Sequence, residues 1–260
     1  MQSANSAKVT ITAQKLYTNI VVSDELSTFS IIELEALFIA RLRRSITKSI
    51  ANAILNSDDT KAGNVNCKET DDASTRPDYH TSTNFTYGKG LRAIALAGDE
   101  GVTKLNVGTI TDIDFIFDLQ DMITSAEEVS DISLIMDRKA YNAIRKTEDY
   151  KNAAKNGDKS TIITGAVDVI GGSSVFVTNL LKPSSADGKI SNTASNNTQG
   201  TVIAVDARVI QNGSYGQVET NEERDFAVSD AIEAKVFWGM NNINSKFADK
   251  NFVAIGYNCQ

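Results

Sequence analysis

One amphipathic stretch, Phe29 to Ser57, most limits what this chain can fold into. Ser30 stands where an N-cap belongs, and Glu33 three residues on completes an S-x-x-E capping box. Phe29 before the cap and Leu34 after it are placed as a hydrophobic staple. Ile31, Leu34, Phe38, Leu42, Ile46, Ile50 and Ile54 then recur in steps of three or four, which lines them along one helix face. Arg41, Arg44 and Lys48 fall mostly elsewhere, and the cations come late, where the helix dipole favours them. At about 1.5 Å per residue, the run from Ile31 to Leu55 spans roughly 38 Å. So long an amphipathic helix, without coiled-coil heptads, predicts the buried strut of an α+β domain.

The flanks supply the β part. Val9 to Thr12 alternate apolar and polar, as do Leu16, Thr18, Ile20 and Val22, the two-residue period of half-buried strands. Asp58 to Gly90 is polar and reads either as a surface insertion or as a segment with weak strands, followed by a short apolar patch from Leu91 to Ala97. Thr111 or Asp112 predicts the cap of a second helix through Glu128. Its buried side is marked by Ile113, Ile116, Phe117, Gln120 and Ile123, and its wet side by Asp114, Asp118 and Asp121. Ile132 to Met136 reads as a strand, running into an Asp137-capped helix through Lys146 with Ala140, Tyr141 and Ile144 inward. Glu148 to Ser160 is a polar segment with a turn at Asn156-Gly157.

Gly171-Gly172 predicts the turn of a hairpin between Ala166 to Ile170 and Ser174 to Thr178. Pro183 to Gly200, rich in Ser, Asn and Thr, reads as a flexible surface loop. Thr201 to Val205 reads as a strand, with a turn at Asn212-Gly213 beyond it. Gly216 to Thr220 and Phe226 to Trp238 predict a second hairpin, with Glu222, Glu223, Arg224 and Asp225 at its tip. Phe252 to Tyr257 reads as the last strand.

Composition removes several functional classes. A chain of 260 residues can bury a full core, but its net charge of −7 argues against a protein that grips nucleic acid through phosphates. Two cysteines, Cys67 and Cys259, are too few for a disulfide framework and read as reduced thiols, with a single bridge between them as the alternative. No apolar run is long enough to predict a transmembrane helix, and Gln2 to Ser6 are too polar for a signal peptide. The one histidine, His80, sits in a polar loop without the partners of a nucleophilic site. Asp112, Asp114, Asp118 and Asp121 lack the glycine and terminal glutamate of an EF-hand loop. Gly88-Lys89-Gly90 is not a phosphate-binding loop. No catalytic, cofactor-binding or metal-ligating residue is expected, so the pattern favours a structural protein over an enzyme.

The order of elements is more telling than any motif. A strand ending in Ile20-Val21-Val22-Ser23-Asp24-Glu25-Leu26 feeds the long helix, which ends in Ile54-Leu55-Asn56 before Ser57-Asp58. This resembles the start and end of the spine helix of tailed-phage major capsid proteins, the Hong Kong 97-type fold. Leu134 to Tyr141 resembles that family's axial-domain strand and helix, and Gly171 to Asn179 its hairpin strand. Val218 to Phe226 resembles the charged loop of the peripheral domain, followed in family order by a long strand and a final one, Phe252 to Gly256.

The resemblance implies an α+β, Hong Kong 97-like fold in two parts. Residues 1-90 and 201-240, with the spine helix at 30-56, form a peripheral domain; residues 91-200 and 241-260 form an axial domain. It implies a structural subunit of an icosahedral virion shell, assembled in the host cytoplasm without cofactor or membrane. Copies pack as hexamers and pentamers around double-stranded DNA that is held without sequence specificity. Scaffolding, portal and decoration proteins are the implied further partners. The charged residues Glu222, Glu223, Arg224 and Asp225 are the expected inter-subunit contact, and Glu148 to Ser160 are expected to face the capsomer axis. The chain departs from the family in starting within the second strand of the extended loop, without the N-terminal arm and the loop's first half. Two other readings fit the same pattern: an encapsulin-like shell around cargo enzymes, and an unrelated α+β surface binding module.

Overall fold

A computed structural model of the chain describes residues 14–23, 34–57, 89–151, 168–190, 194–225, 229–242 and 250–260. The Phe29 staple, the Ser30–Glu33 capping box, the loop bearing Cys67 and His80, and the Asn156-Gly157 turn lie outside the described residues. In chain order the first elements are β1 (Gln14–Ser23), α1 (Leu34–Asn56), α2 (Leu91–Ala97), β2 (Lys104–Asn106), α3 (Asp114–Asp121), β3 (Ile132–Met136) and α4 (Arg138–Arg145). They are followed by α5 (Glu148–Lys151), β4 (Val169–Ile170), β5 (Ser173–Val177), β6 (Gly200–Asp206), β7 (Ile210–Asp225), β8 (Ser229–Asn242) and β9 (Val253–Cys259).

The strands form two sheets. β1, β8 and β7 make an antiparallel three-stranded sheet in that order. The other sheet has six strands in the order β2-β9-β6-β3-β5-β4. Its centre is antiparallel, β9 to β6 and β6 to β3, while β2 and β5 add on in parallel. Every residue of β6 is buried, as expected for a central strand covered on both faces. Ile132, Leu134 and Met136 of β3 point to one face with Val202 and Ala204, where α3 and α4 close the core through Phe115, Ile116, Leu119, Ala140 and Ile144. Ile203, Val205, Val253 and Ile255 point to the other face, against Leu91, Ala95 and Leu96 of α2.

The long helix joins the two sheets. Leu42, Ile46 and Ala53 of α1 pack with Val236 of β8, and Leu55 at the helix end enters the core under the six-stranded sheet. The sequence periodicity thus marks the buried stripe correctly from Phe38 to Ile54. Gly90 lets the next segment approach closely: a Cβ there would lie 2.7 Å from the Ser57 backbone nitrogen and 2.9 Å from the Ala53 carbonyl oxygen.

Several sequence expectations are revised. The second helix stops at Asp121 instead of reaching Glu128. Cross-chain bonds take over from helical ones: Asn251 N donates to Thr124 Oγ1 at 2.8 Å, and Ser125 N donates to the Asn251 carbonyl at 3.0 Å. Phe117 is 41% exposed, because Phe115, Ile116, Leu119 and Gln120 form the face turned to the sheet. The segment after Pro183 is not a flexible loop throughout. Ser184 and Ser185 are buried, Ser184 exchanges backbone hydrogen bonds with Gln199, and Ile190 is buried. Short hydroxyl side chains satisfy buried backbone as readily as they decorate solvent-facing loops, so composition misreads them.

The largest revision concerns the second hairpin. Asn212-Gly213 is no turn: both lie inside β7, with Gly213 opposite Gly239. The ladder runs from Ile210 opposite Asn242 to Asp225 opposite Ser229, with an irregularity between Tyr215 and Glu219. A continuous ladder outweighs a local turn preference. β6, grouped by the sequence with the segment from 201, belongs instead to the six-stranded sheet between β9 and β3. The Gly171-Gly172 turn holds as expected, with φ of +55° and +87°, the left-handed pair a two-residue hairpin requires.

Candidate assembly surfaces

At the C-terminal end of β3 the chain meets α4 through Asp137. Its Oδ1 accepts from the Ala140 backbone nitrogen at 2.8 Å, which satisfies one of the orphan donors of the helix start. The carboxyl is buried, its Oδ2 has no hydrogen-bond partner, and burial raises its pKa above the ordinary value. Arg92 of α2 lies fully buried nearby and donates through Nη2 to the Lys182 carbonyl at 2.6 Å. Burial lowers its pKa to about 10, with the Asp137 carboxylate acting in the opposite direction. Beside this pair opens a cavity of about 620 Å³, with Asp137 in its wall. Ile110, Ala143, Leu181 and Pro183 give it apolar sides, and Arg138, Lys139 and Lys146 bring cations to it.

A second helix packed on the same core carries the other sign. Asp114, Asp118 and Asp121 are exposed on α3, with Phe117 between them on the same face. Below this helix a clasp fixes the end of β6. Asp206, 1% exposed, accepts from Arg208 Nε at 3.1 Å and from Ser125 Oγ at 3.0 Å, while Arg208 Nη1 reaches Asp131 at 2.8 Å. Burial pushes the Asp206 carboxyl up, but the bonds from Arg208 and Ser125 outweigh it and hold the pKa below the ordinary range.

The four residues expected at a hairpin tip are the last paired residues of β7. Glu222 stands opposite Ile232, Glu223 opposite Ala231, Arg224 opposite Asp230 and Asp225 opposite Ser229. The connection itself, residues 226–228, lies outside the described residues. These four residues and the α3–α4 face therefore belong to different sheets.

Among the described residues no group of three or more His, Cys, Asp or Glu is placed to hold a metal ion. Likewise, no helix among them is long and apolar enough to cross a membrane. Sequence reasoning did not find Arg92 or the cavity beside Asp137. An arginine within the apolar run Leu91 to Ala97 was the one available signal, since a cation there must be either buried or turned out.

A long helix joining a narrow antiparallel sheet to a mixed six-stranded one defines the Hong Kong 97-type capsid class. The Phage capsid family matches residues 2–179, and the chain belongs to that family. It is accordingly a structural capsid subunit. The structure of Mycobacterium phage Che8 is similar at a TM-score of 0.57 and 14% identity, covering 98% of this chain and 76% of that one. The capsid of Ralstonia phage GP4 gives 0.56 and 11%, covering 99% and 80%. The holo-SrpI encapsulin complex from Synechococcus elongatus PCC 7942 gives 0.52 and 10%, covering 95% and 74%. No curated protein sequence matches the chain.

Proposed function

We propose that copies of this chain close into an icosahedral shell of hexamers and pentamers around packaged double-stranded DNA, in a virion assembled in the host cytoplasm. The helix α1 carries this reading. At about 1.5 Å per residue its 23 residues make a strut of roughly 34 Å, packed with Val236 of β8 through Leu42, Ile46 and Ala53 and against the six-stranded sheet at its end. We assign the three-stranded sheet and α1 to a peripheral domain and the six-stranded sheet with α2, α3 and α4 to an axial domain. We assign residues 148 to 160 to the capsomer axis, of which 152–160 lie outside the described residues. A net charge of −7 suits a wall that encloses DNA without gripping it. Scaffolding, portal and decoration proteins are the further partners, and the role is mechanical, with no catalysis.

In this reading Glu222, Glu223, Arg224 and Asp225 meet neighbouring capsomers. Both charge signs at the end of a long two-stranded ribbon suit pairing between copies. The test is sedimentation velocity and electron microscopy of the expressed protein beside its Arg224→Glu variant. Large closed particles for the first, and smaller or less stable ones for the second, are expected. Only monomers or small defined oligomers from the unmodified protein would overturn the shell reading. Unchanged particles from the variant would remove the hairpin end from the contact. The encapsulin fold likeness keeps a second reading, a shell around protein cargo. Particles that copurify with an enzyme and contain no nucleic acid would favour it.

A further inference from the structure

We infer that α3 of one copy docks into the cavity beside α4 of the next copy, with Phe117 as the inserted residue. This rests on the shell reading above and goes beyond it by naming the two faces that meet.

The acidic face is convex. Asp114, Phe117, Asp118 and Asp121 stand at i, i+3, i+4 and i+7, so they share one face of α3. The three aspartates are exposed, and Phe117 is 41% exposed in their midst. An apolar ring surrounded by carboxylates is an unusual use of a solvent-facing helix surface, because burial elsewhere would recover its transfer free energy.

The receiving face is concave and of opposite sign. Its cavity of about 620 Å³ has room for an aromatic ring between Leu181 and Ala143. Arg138, Lys139 and Lys146 are exposed around it and match the three carboxylates in number and sign. Deeper in the wall, Asp137 is 2% exposed and its Oδ2 lacks a hydrogen-bond partner. The electropositive edge of a phenyl ring is the part of an apolar side chain that suits such an oxygen.

The occupant is a second copy because both halves lie on the same molecule without meeting each other. Both helices cover one face of the six-stranded sheet. A Cβ built on Gly256, midway along β9, would meet Leu119 of α3, and one built on Gly200, at the start of β6, would meet Ala140 of α4. The cavity beside α4 is lined by no residue of α3, and the acidic face of α3 is exposed, so the two faces do not cover one another. Two different patches that fit one another produce a head-to-tail contact, which closes into a ring when the rotation permits. Rings of five or six subunits are of this type. The contact has the form of a helix laid in a groove, with one apolar anchor and a charged surround.

The test reverses each face and then both. Asp118→Lys with Asp121→Lys alters the acidic face, Arg138→Glu with Lys139→Glu the basic one, and a third protein carries all four changes. Sedimentation velocity is expected to find the assembled fraction cut by about tenfold or more in each two-site variant, and restored in the four-site variant. In a Cys67→Ser background, Phe117→Cys with Asn142→Cys is expected to give a ladder of covalent multimers on oxidation. Two-site variants that assemble like the unmodified protein would overturn the contact. So would a four-site variant that unfolds at the unmodified midpoint yet stays unassembled, or assembled particles that give no ladder. If the unmodified protein forms no shells, the shell reading itself falls, and the ladder at high concentration decides the contact separately.

Discussion

Arg92 and Asp137 bury opposite charges in one core without a hydrogen bond between them. The guanidinium spends one nitrogen on the Lys182 carbonyl and leaves Nε and Nη1 without partners, and the carboxyl leaves Oδ2. Each charge makes the other's burial less costly, as the opposed influences on their pKa values indicate. The pair joins three segments: α2, the chain at Lys182, and the start of α4.

Removing the carboxyl exposes both of its roles. Asp137→Ala loses the helix cap, a loss of about 1 kcal/mol, and leaves the Arg92 charge buried without its counterpart. Asp137→Ser keeps a cap acceptor but not the charge. Urea unfolding is expected to place Asp137→Ser above Asp137→Ala, because only Ser keeps the cap acceptor. Equal midpoints for Ser and Ala would mean that the cap contributes nothing.

Acid is expected to act through the clasp on Asp206. Its folded pKa lies below the ordinary value of 3.8, so its contribution is fully present above that value and is lost as pH falls through the lower folded one. Asp137 has the opposite sign. Its raised pKa means that ionisation costs the folded state stability, a cost relieved as pH falls through that raised value. The unfolding midpoint should therefore fall steeply only below about pH 4, with less of a fall in Asp206→Asn. A steep loss that starts near neutrality, or one unchanged in the variant, would refute this assignment.

Gly200 sets how closely α4 lies on the sheet. A Cβ there would stand 2.8 Å from the Ala140 backbone nitrogen and 3.0 Å from the Ala140 Cβ. Neither can give without moving the helix. Gly200→Val is expected to lower stability by about 1–3 kcal/mol, the usual range for an overpacked core. Thermal unfolding at the unmodified temperature would show that α4 shifts freely.

Cys259 is expected to resist thiol reagents in the folded protein. It is fully buried on β9, and burial pushes its pKa up to about 12, so almost no thiolate is present at neutral pH. In a Cys67→Ser protein, labelling should track global unfolding in urea. Rapid labelling in buffer would contradict the packing around the last strand.

Along α1 and β3 the sequence determined the result by itself, because one buried face imposes a period that survives in the residue order. Phe38 to Ile54, Ile132 to Met136, the Asp137 cap and the Gly171-Gly172 turn were all legible for that reason, and the order of such elements pointed to the capsid family. Tertiary structure decided what local patterns leave degenerate. Asn212-Gly213 prefers a turn in isolation but lies inside β7, since interrupting the ladder with β8 would leave backbone groups unpaired. The helix from Asp114 ends at Asp121 because Asn251, far away in sequence, offers its backbone to Thr124 and Ser125. Burial of Arg92 and exposure of Phe117 depend on which face each helix turns to the sheet, a choice made by neighbours distant in the chain, such as Lys182 for Arg92 and Ser173 for α3.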